Sequence, residues 1–198
     1  MINNYKAYLN VLDKRLGGMF ERQAPFIKCK RGCASCCKEG DYPLSELEYI
    51  YIMMSCEELP DDIKAKINSN IMNLLAKEDV TMYECPFLIN DECSVYEARG
   101  LICRTFGLLS YTKNGRNKMP FCIEFGLNYA DVYDKEKGML VRNADDGTEP
   151  VAFNISRPVL RSKEVEHDFG IFFGEDKTML DWLREDFTSQ EEQQPELQ

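Results

Sequence analysis

The sequence predicts a mainly α fold: helices flanking a cysteine-lined metal centre, with a small β-hairpin and an irregular C-terminal extension. Three observations predict it: stretches whose apolar residues recur at helical spacing, a cysteine-dense loop after the first of them, and one strong hairpin turn further on. With 198 residues and 44% hydrophobic content the chain is long enough for one substantial core; a domain of this size buries roughly two-thirds of its unfolded surface. Residues 1–187 are assigned to a single domain, and the polar, acidic stretch 188–198 reads as a disordered tail.

Tyr5, Leu9, Leu12, Leu16, Met19 and Phe20 define one face of an N-terminal helix that ends near Pro25. From Phe26 to Gly40 the periodicity disappears and a tight loop is expected. A second helix opens at Ser45, whose hydroxyl and the Glu48 carboxylate have the spacing of a capping box, and runs to about Glu58. Pro60-Asp61-Asp62 opens a third, with Ile63, Ile67, Ile71, Leu74 and Leu75 as its buried stripe. The segment from Cys85 to Phe106 is turn-rich with one or two short helices. Asn114-Gly115 predicts a hairpin between 110–112 and 117–119. Ile123, Leu127, Ala130 and Tyr133 predict a helix over 122–137, Val151 to Ile155 a strand, and Thr178 to Phe187 a short helix.

The formal charge of −10 disfavours a sequence-independent grip on nucleic acid or on an anionic membrane, both of which rely on Lys and Arg. The apolar-rich stretch Leu44 to Met54 contains Glu46 and Glu48 and falls short of the roughly 20 residues that span a bilayer. The N-terminal residues lack the pattern of a secretory signal, so a cytoplasmic location is expected. The partner is then another protein or a small molecule. Nine cysteines in a reducing compartment imply a metal or a catalytic cycle that engages them.

Cys29, Cys33, Cys36 and Cys37 place four thiols within nine residues, and Gly32, Ala34 and Ser35 among them are small enough to let backbone N–H groups approach sulfur. Cys85, Cys93, Cys103 and Cys122 follow at spacings of eight, ten and nineteen, too long to chelate alone but completing a set of eight candidate ligands. Adjacent side chains usually diverge, so Cys36 and Cys37 are expected to serve two different metals, or a metal and a supporting role. Four thiolates around zinc or a four-iron four-sulfur core leave a charge of about −2. Lys28, Lys30, Arg31 and Lys38 answer it, and Arg99 and Arg104 recur beside the later cysteines as candidates to stabilise the cofactor's charge, with Tyr96 and Glu97 orienting them or packing a helical turn. Cys56 has no chelating neighbour and reads as a small buried hydrophobe. His167 lies far from the cysteines and reads as an ordinary residue, which leaves a histidine-rich zinc site or a Cys-His dyad unsupported. No glycine-rich phosphate loop is present.

Cys29-x3-Cys33-x2-Cys36-Cys37, Cys85-Pro86-Phe87-Leu88, and Cys93-Ser94-Val95-Tyr96-Glu97-Ala98-Arg99 leading to Cys103-Arg104-Thr105-Phe106 resemble, in that order, the YkgJ-type cysteine-cluster family of zinc- or iron-chelating, iron–sulfur-labelled proteins. That family has Pro after the Arg of its Tyr-Glu-x-Arg element, where this chain has Gly100. The resemblance implies chelation rather than a particular reaction. The expected function is an iron–sulfur cluster serving redox, sensing or maturation chemistry. The alternatives are a module with structural thiolate zinc, or a protein-modifying enzyme distantly similar to the flagellin lysine methylases, whose remaining domain has no match here.

Overall fold

A computed structural model of the protein describes residues 1–30, 32–112 and 114–192. Helix α1 spans Ile2–Gln23 and buries Tyr5, Tyr8, Leu9, Leu12 and Leu16, the stripe expected from the sequence. A 3-10 turn at Ala24–Phe26, with Pro25 near its start, ends it. The cysteine loop contains one turn of helix, α2 (Ser35–Lys38), that its composition does not announce. Strand β1 (Pro43–Ser45) leads into α3 (Glu46–Glu57), whose first turn carries the predicted capping box between Ser45 and Glu48. Helix α4 (Asp61–Leu75) starts at Pro60 and buries Ile67, Ile71 and Leu74.

Next come a short hairpin, β2 (Leu88–Ile89) and β3 (Glu92–Cys93), a 3-10 turn at Tyr96–Ala98, and α5 (Leu101–Thr105). The turn of this hairpin is Asn90-Asp91, both at positive φ, the conformation that suits a two-residue hairpin loop. The hairpin at Asn114-Gly115 is β4 (Ser110–Tyr111) with β5 (Asn117–Lys118), antiparallel with Ser110 opposite Lys118. Lys113, in its loop, lies outside the described residues.

The helix expected over 122–137 does not form. A 3-10 helix at Phe121–Phe125 stops at Gly126, which sits in the left-handed region at φ 72°, and Tyr129 is left-handed as well. A second 3-10 turn at Ala130–Val132 then feeds β6 (Tyr133–Asp134), paired with β7 (Met139–Leu140). Apolar spacing survived this break because Ile123, Tyr129 and Val132 pack with Phe26 and Leu109 in one cluster regardless. The strand expected at 151–155 is reduced to a single parallel bridge between Phe153 and Ser110. Helices α6 (Arg157–Leu160) and α7 (Lys163–Phe169) follow, the latter capped by the Ser162 hydroxyl. Strand β8 (Asp176–Thr178) pairs antiparallel with β1, and α8 (Met179–Glu192) extends past the predicted end at Phe187 into the stretch read as a tail. Residues 193–198 lie outside the described residues.

Two compact units divide these elements. Unit 1 comprises Met1–Cys33 and Cys103–Phe172; unit 2 comprises Ala34–Ile102 and the chain from Phe173. In unit 1, α1 packs on α7, Tyr8 meeting Phe169 edge to face at 5.2 Å and donating its hydroxyl to the Leu160 carbonyl. In unit 2, the β1–β8 ribbon joins α3 to α8, the Trp182 indole donates to the Leu44 carbonyl, and its ring stacks on Tyr49 at 5.4 Å. No described helix is long and apolar enough to cross a membrane.

Candidate functional site

The eight candidate cysteines fall four to a unit: Cys29, Cys33, Cys103 and Cys122 in unit 1, and Cys36, Cys37, Cys85 and Cys93 in unit 2. All nine cysteines are thiols; Cys29 is exposed, Cys56 and Cys122 are buried, and the others are half-buried.

In unit 2 main-chain bonds bring the Cys85 backbone against that of Cys37. α2 begins where the Cys37 and Lys38 N–H groups donate to the Ala34 carbonyl at 2.8 and 3.0 Å. Just beyond it, Gly40 and Tyr83 exchange two bonds of 3.1 Å, and the Cys85 N–H donates to the Cys37 carbonyl at 2.8 Å. The Tyr42 hydroxyl lies 3.2 Å from the Cys36 carbonyl and 3.4 Å from the Tyr83 carbonyl, which pins both strands of this crossing. Its ring packs edge to face on Tyr83, whose hydroxyl accepts the Leu180 N–H; burial pushes the Tyr83 phenol well above its usual range. Cys93 stands opposite Leu88 in the β2–β3 hairpin, and the Asn70 amide, donating to the Pro86 carbonyl, holds this region to α4.

Cys36 and Cys37 point together: their sulfurs are 3.9 Å apart. The divergence expected of neighbouring side chains is undone by rotation about the Cα–Cβ bonds. Burial raises the Cys93 thiol, an effect that a hydrogen bond from the Val95 backbone and then the Arg99 charge oppose and Cys36 reinforces. Cys56 is buried, as expected, and burial first and Glu57 second push its thiol up to about 12, so it holds its proton at neutral pH.

In unit 1 side chains do this work. Asn128, fully buried, accepts the N–H groups of Lys28 and Cys29, both at 2.9 Å, and donates to the Gly107 carbonyl at 3.0 Å. Arg104, only 2% exposed, pairs with Asp13 of α1. Gln23 and Tyr129 bond to one another and both accept the Leu109 N–H. Asn128, Gln23 and Glu48 are structural polar residues, and the sequence gives no sign of the first two. Only Glu48, through its capping spacing, left a signal.

Glu48 is fully buried in unit 2. One carboxylate oxygen takes the Ser45 N–H and hydroxyl at 3.0 and 2.7 Å, and the other takes the Leu101 N–H at 2.7 Å. A Cβ at Gly100 would meet Leu44 Cδ2 at 2.5 Å and Glu48 Oε1 at 3.2 Å, so a larger residue there requires the Leu44 side chain to move.

A metal ion needs three or four donors around one point, with zinc–sulfur bonds of about 2.3 Å. Among the described residues no three Cys, His, Asp or Glu side chains are so grouped. This overturns the expected iron–sulfur cluster, and the alternative thiolate zinc, on Cys29, Cys33, Cys36, Cys37, Cys85, Cys93, Cys103 and Cys122. The spacing counted donors without fixing the direction of each thiol. Several bases expected to balance a cluster are engaged with carboxylates instead: Lys28 with Asp131 at 2.7 Å and Lys38 with Asp91 at 2.8 Å. Arg99 stacks 3.8 Å over the Tyr96 ring and donates to the Tyr96 carbonyl, so Tyr96 does orient it. Arg31 lies outside the described residues. His167 is exposed on α7 beside Asp168.

The fold and these thiols define a mainly helical, cysteine-rich protein of two units. Residues 28–122 match the family model described as a "Putative zinc- or iron-chelating domain", in keeping with the cysteine-cluster resemblance of the motifs. That stretch is just under half the chain and holds all eight motif cysteines. No curated protein and no solved structure matches the chain. The chelation in the family's description is what the donor geometry of this chain does not fit.

Proposed function

We propose that this chain acts through its thiols, as a redox-responsive cysteine protein of a reducing, cytoplasmic compartment. The observation that carries the reading is the Cys36–Cys37 pair, two half-buried thiols with sulfurs 3.9 Å apart on a single helical turn. Two accessible thiols this close react as a dithiol toward a bifunctional partner: attack by one leaves the other in place to complete a second substitution on the same molecule. Nine cysteines held as thiols suit a compartment that keeps them reduced. In this reading Cys85 and Cys93 are the neighbouring thiols of unit 2, and Arg99 favours the thiolate of Cys93. Cys29, Cys33, Cys103 and Cys122 are the cysteines of the other unit, where Arg104, next to Cys103 in the chain, pairs with Asp13.

Dibromobimane tests the reading, because it fluoresces strongly only when two adjacent thiols displace both of its bromides. The reduced chain should gain one such bridge, on Cys36 and Cys37, and Cys36→Ser and Cys37→Ser should each lose it. Bridging that persists unchanged in both variants would count against the dithiol.

A further inference from the structure

Unit 2 sets side by side two cysteines that the sequence keeps 48 positions apart, Cys37 and Cys85. The bond from the Cys85 N–H to the Cys37 carbonyl is 2.8 Å long. Standard bond lengths add about 2.4 Å from that oxygen to its own Cα and about 1.5 Å from the nitrogen to its Cα, so the two Cα atoms are at most about 6.7 Å apart. Disulfides join Cα atoms separated by roughly 4.4–6.8 Å. The crossing is pinned next to this point by the reciprocal Gly40–Tyr83 bonds and by the Tyr42 hydroxyl at the Cys36 and Tyr83 carbonyls, so the separation is a fixed property of the backbone. Both thiols are half-buried, accessible to a small oxidant. The competing closure, Cys36 to Cys37, would make an eight-membered ring through the intervening peptide and force it from planarity.

We propose that Cys37 and Cys85 form a reversible disulfide when the chain meets a hydroperoxide, locking α2 to the segment after Tyr83 and withdrawing Cys37 from its pairing with Cys36. The step is balanced. The Cys37 thiol gives up its proton and its sulfur attacks one peroxide oxygen; the O–O bond breaks, the leaving hydroxide of hydrogen peroxide takes up that proton and departs as water, and Cys37 becomes a sulfenic acid. The Cys85 thiol then attacks that sulfur, forming the S–S bond and releasing a second water; two thiols lose two electrons and the peroxide gains them. A dithiol reductant reverses it by exchange. The proposal rests on the thiol reading above and gives it a switch, since oxidation removes the dithiol that dibromobimane detects.

The test treats the full, reduced chain with one equivalent of hydrogen peroxide, blocks the remaining thiols, and maps linked peptides by mass spectrometry. A Cys37–Cys85 link is expected, retained in Cys36→Ser and Cys56→Ser, absent in Cys37→Ser and Cys85→Ser, and accompanied by a rise of several degrees in Tm. Cys37 linked to Cys36 or Cys93, or peroxide consumed with no link at Cys37, overturns the switch. The same samples, probed with dibromobimane before oxidation, separate its failure from that of the thiol reading. Bridging in the reduced chain without a Cys37–Cys85 link removes only the switch; no bridging removes the reading on which it stands.

Discussion

The two units hold their cysteines by different means. In unit 2, main-chain bonds between Gly40 and Tyr83 and between Cys37 and Cys85 hold the backbone that carries Cys37 and Cys85, and side chains such as Tyr42 reinforce them. In unit 1, single buried side chains do so: Asn128 holds the backbone at Cys29, and Arg104 ties α5 to α1 through Asp13. Main-chain pairing tolerates substitution because any residue but proline can make it. A buried amide or guanidinium has no such redundancy. The difference teaches that cysteines of one motif set need not share one kind of environment, and that the thiols of unit 1 are the more vulnerable to a single change elsewhere.

The largest expected effect breaks the comparison, because unit 2 too has one irreplaceable side chain. Glu48→Ala strands the buried Ser45 and Leu101 N–H groups and should cost about 4 kcal/mol in urea denaturation. Arg104→Ala should cost about 3 kcal/mol by the same measurement, and Arg104→Lys should recover only part of it, since a lysine cannot reproduce the guanidinium's fixed fork of donors.

Asn128→Ala and Tyr42→Phe sharpen the contrast when compared directly. The first leaves the Lys28 and Cys29 N–H groups without their acceptor and should cost about 2 kcal/mol; the second loses one hydroxyl from a crossing that main-chain bonds still hold, about 1 kcal/mol. Alkylation rates should follow, with Cys29 changing more in Asn128→Ala than Cys36 does in Tyr42→Phe.

Much of the fold was legible. The α1 and α4 stripes, the Ser45–Glu48 capping box and the Asn114-Gly115 turn are local signals that tertiary structure had no reason to override. The helix expected over 122–137 failed because Gly126 and Tyr129 turn left-handed inside an apolar pattern that packs equally well without a helix. The β1–β8 ribbon escaped notice because three residues on each strand are too few to show alternation. The cysteines were legible as a set, and the family was legible from their order. Their geometry was not. Whether thiols converge depends on side-chain direction and on long-range pairing such as Cys85 with Cys37, which spacing does not encode.

The last effect, absent at neutral pH, concerns Cys56, the ninth thiol. Burial raises it from an ordinary 9.0 to about 12, so above pH 9 the unfolded chain loses this proton while the folded chain keeps it. The unfolded state then binds fewer protons, and Cys56 makes stability fall as pH rises from 9 toward 12, by at most about 1.4 kcal/mol per pH unit. Cys56→Ala should flatten that slope in urea titrations at pH 8 to 10 and leave the dibromobimane bridge intact.

The most direct measurement is a native mass spectrum of the chain purified without oxygen and then treated with dibromobimane. Thiol chemistry at unit 2 predicts one bimane bridge per chain, mapped to Cys36 and Cys37, on an otherwise unmodified, metal-free protein mass. A chain that carries stoichiometric iron or zinc, with Cys36 and Cys37 withheld from the reagent until the metal is removed, would contradict it.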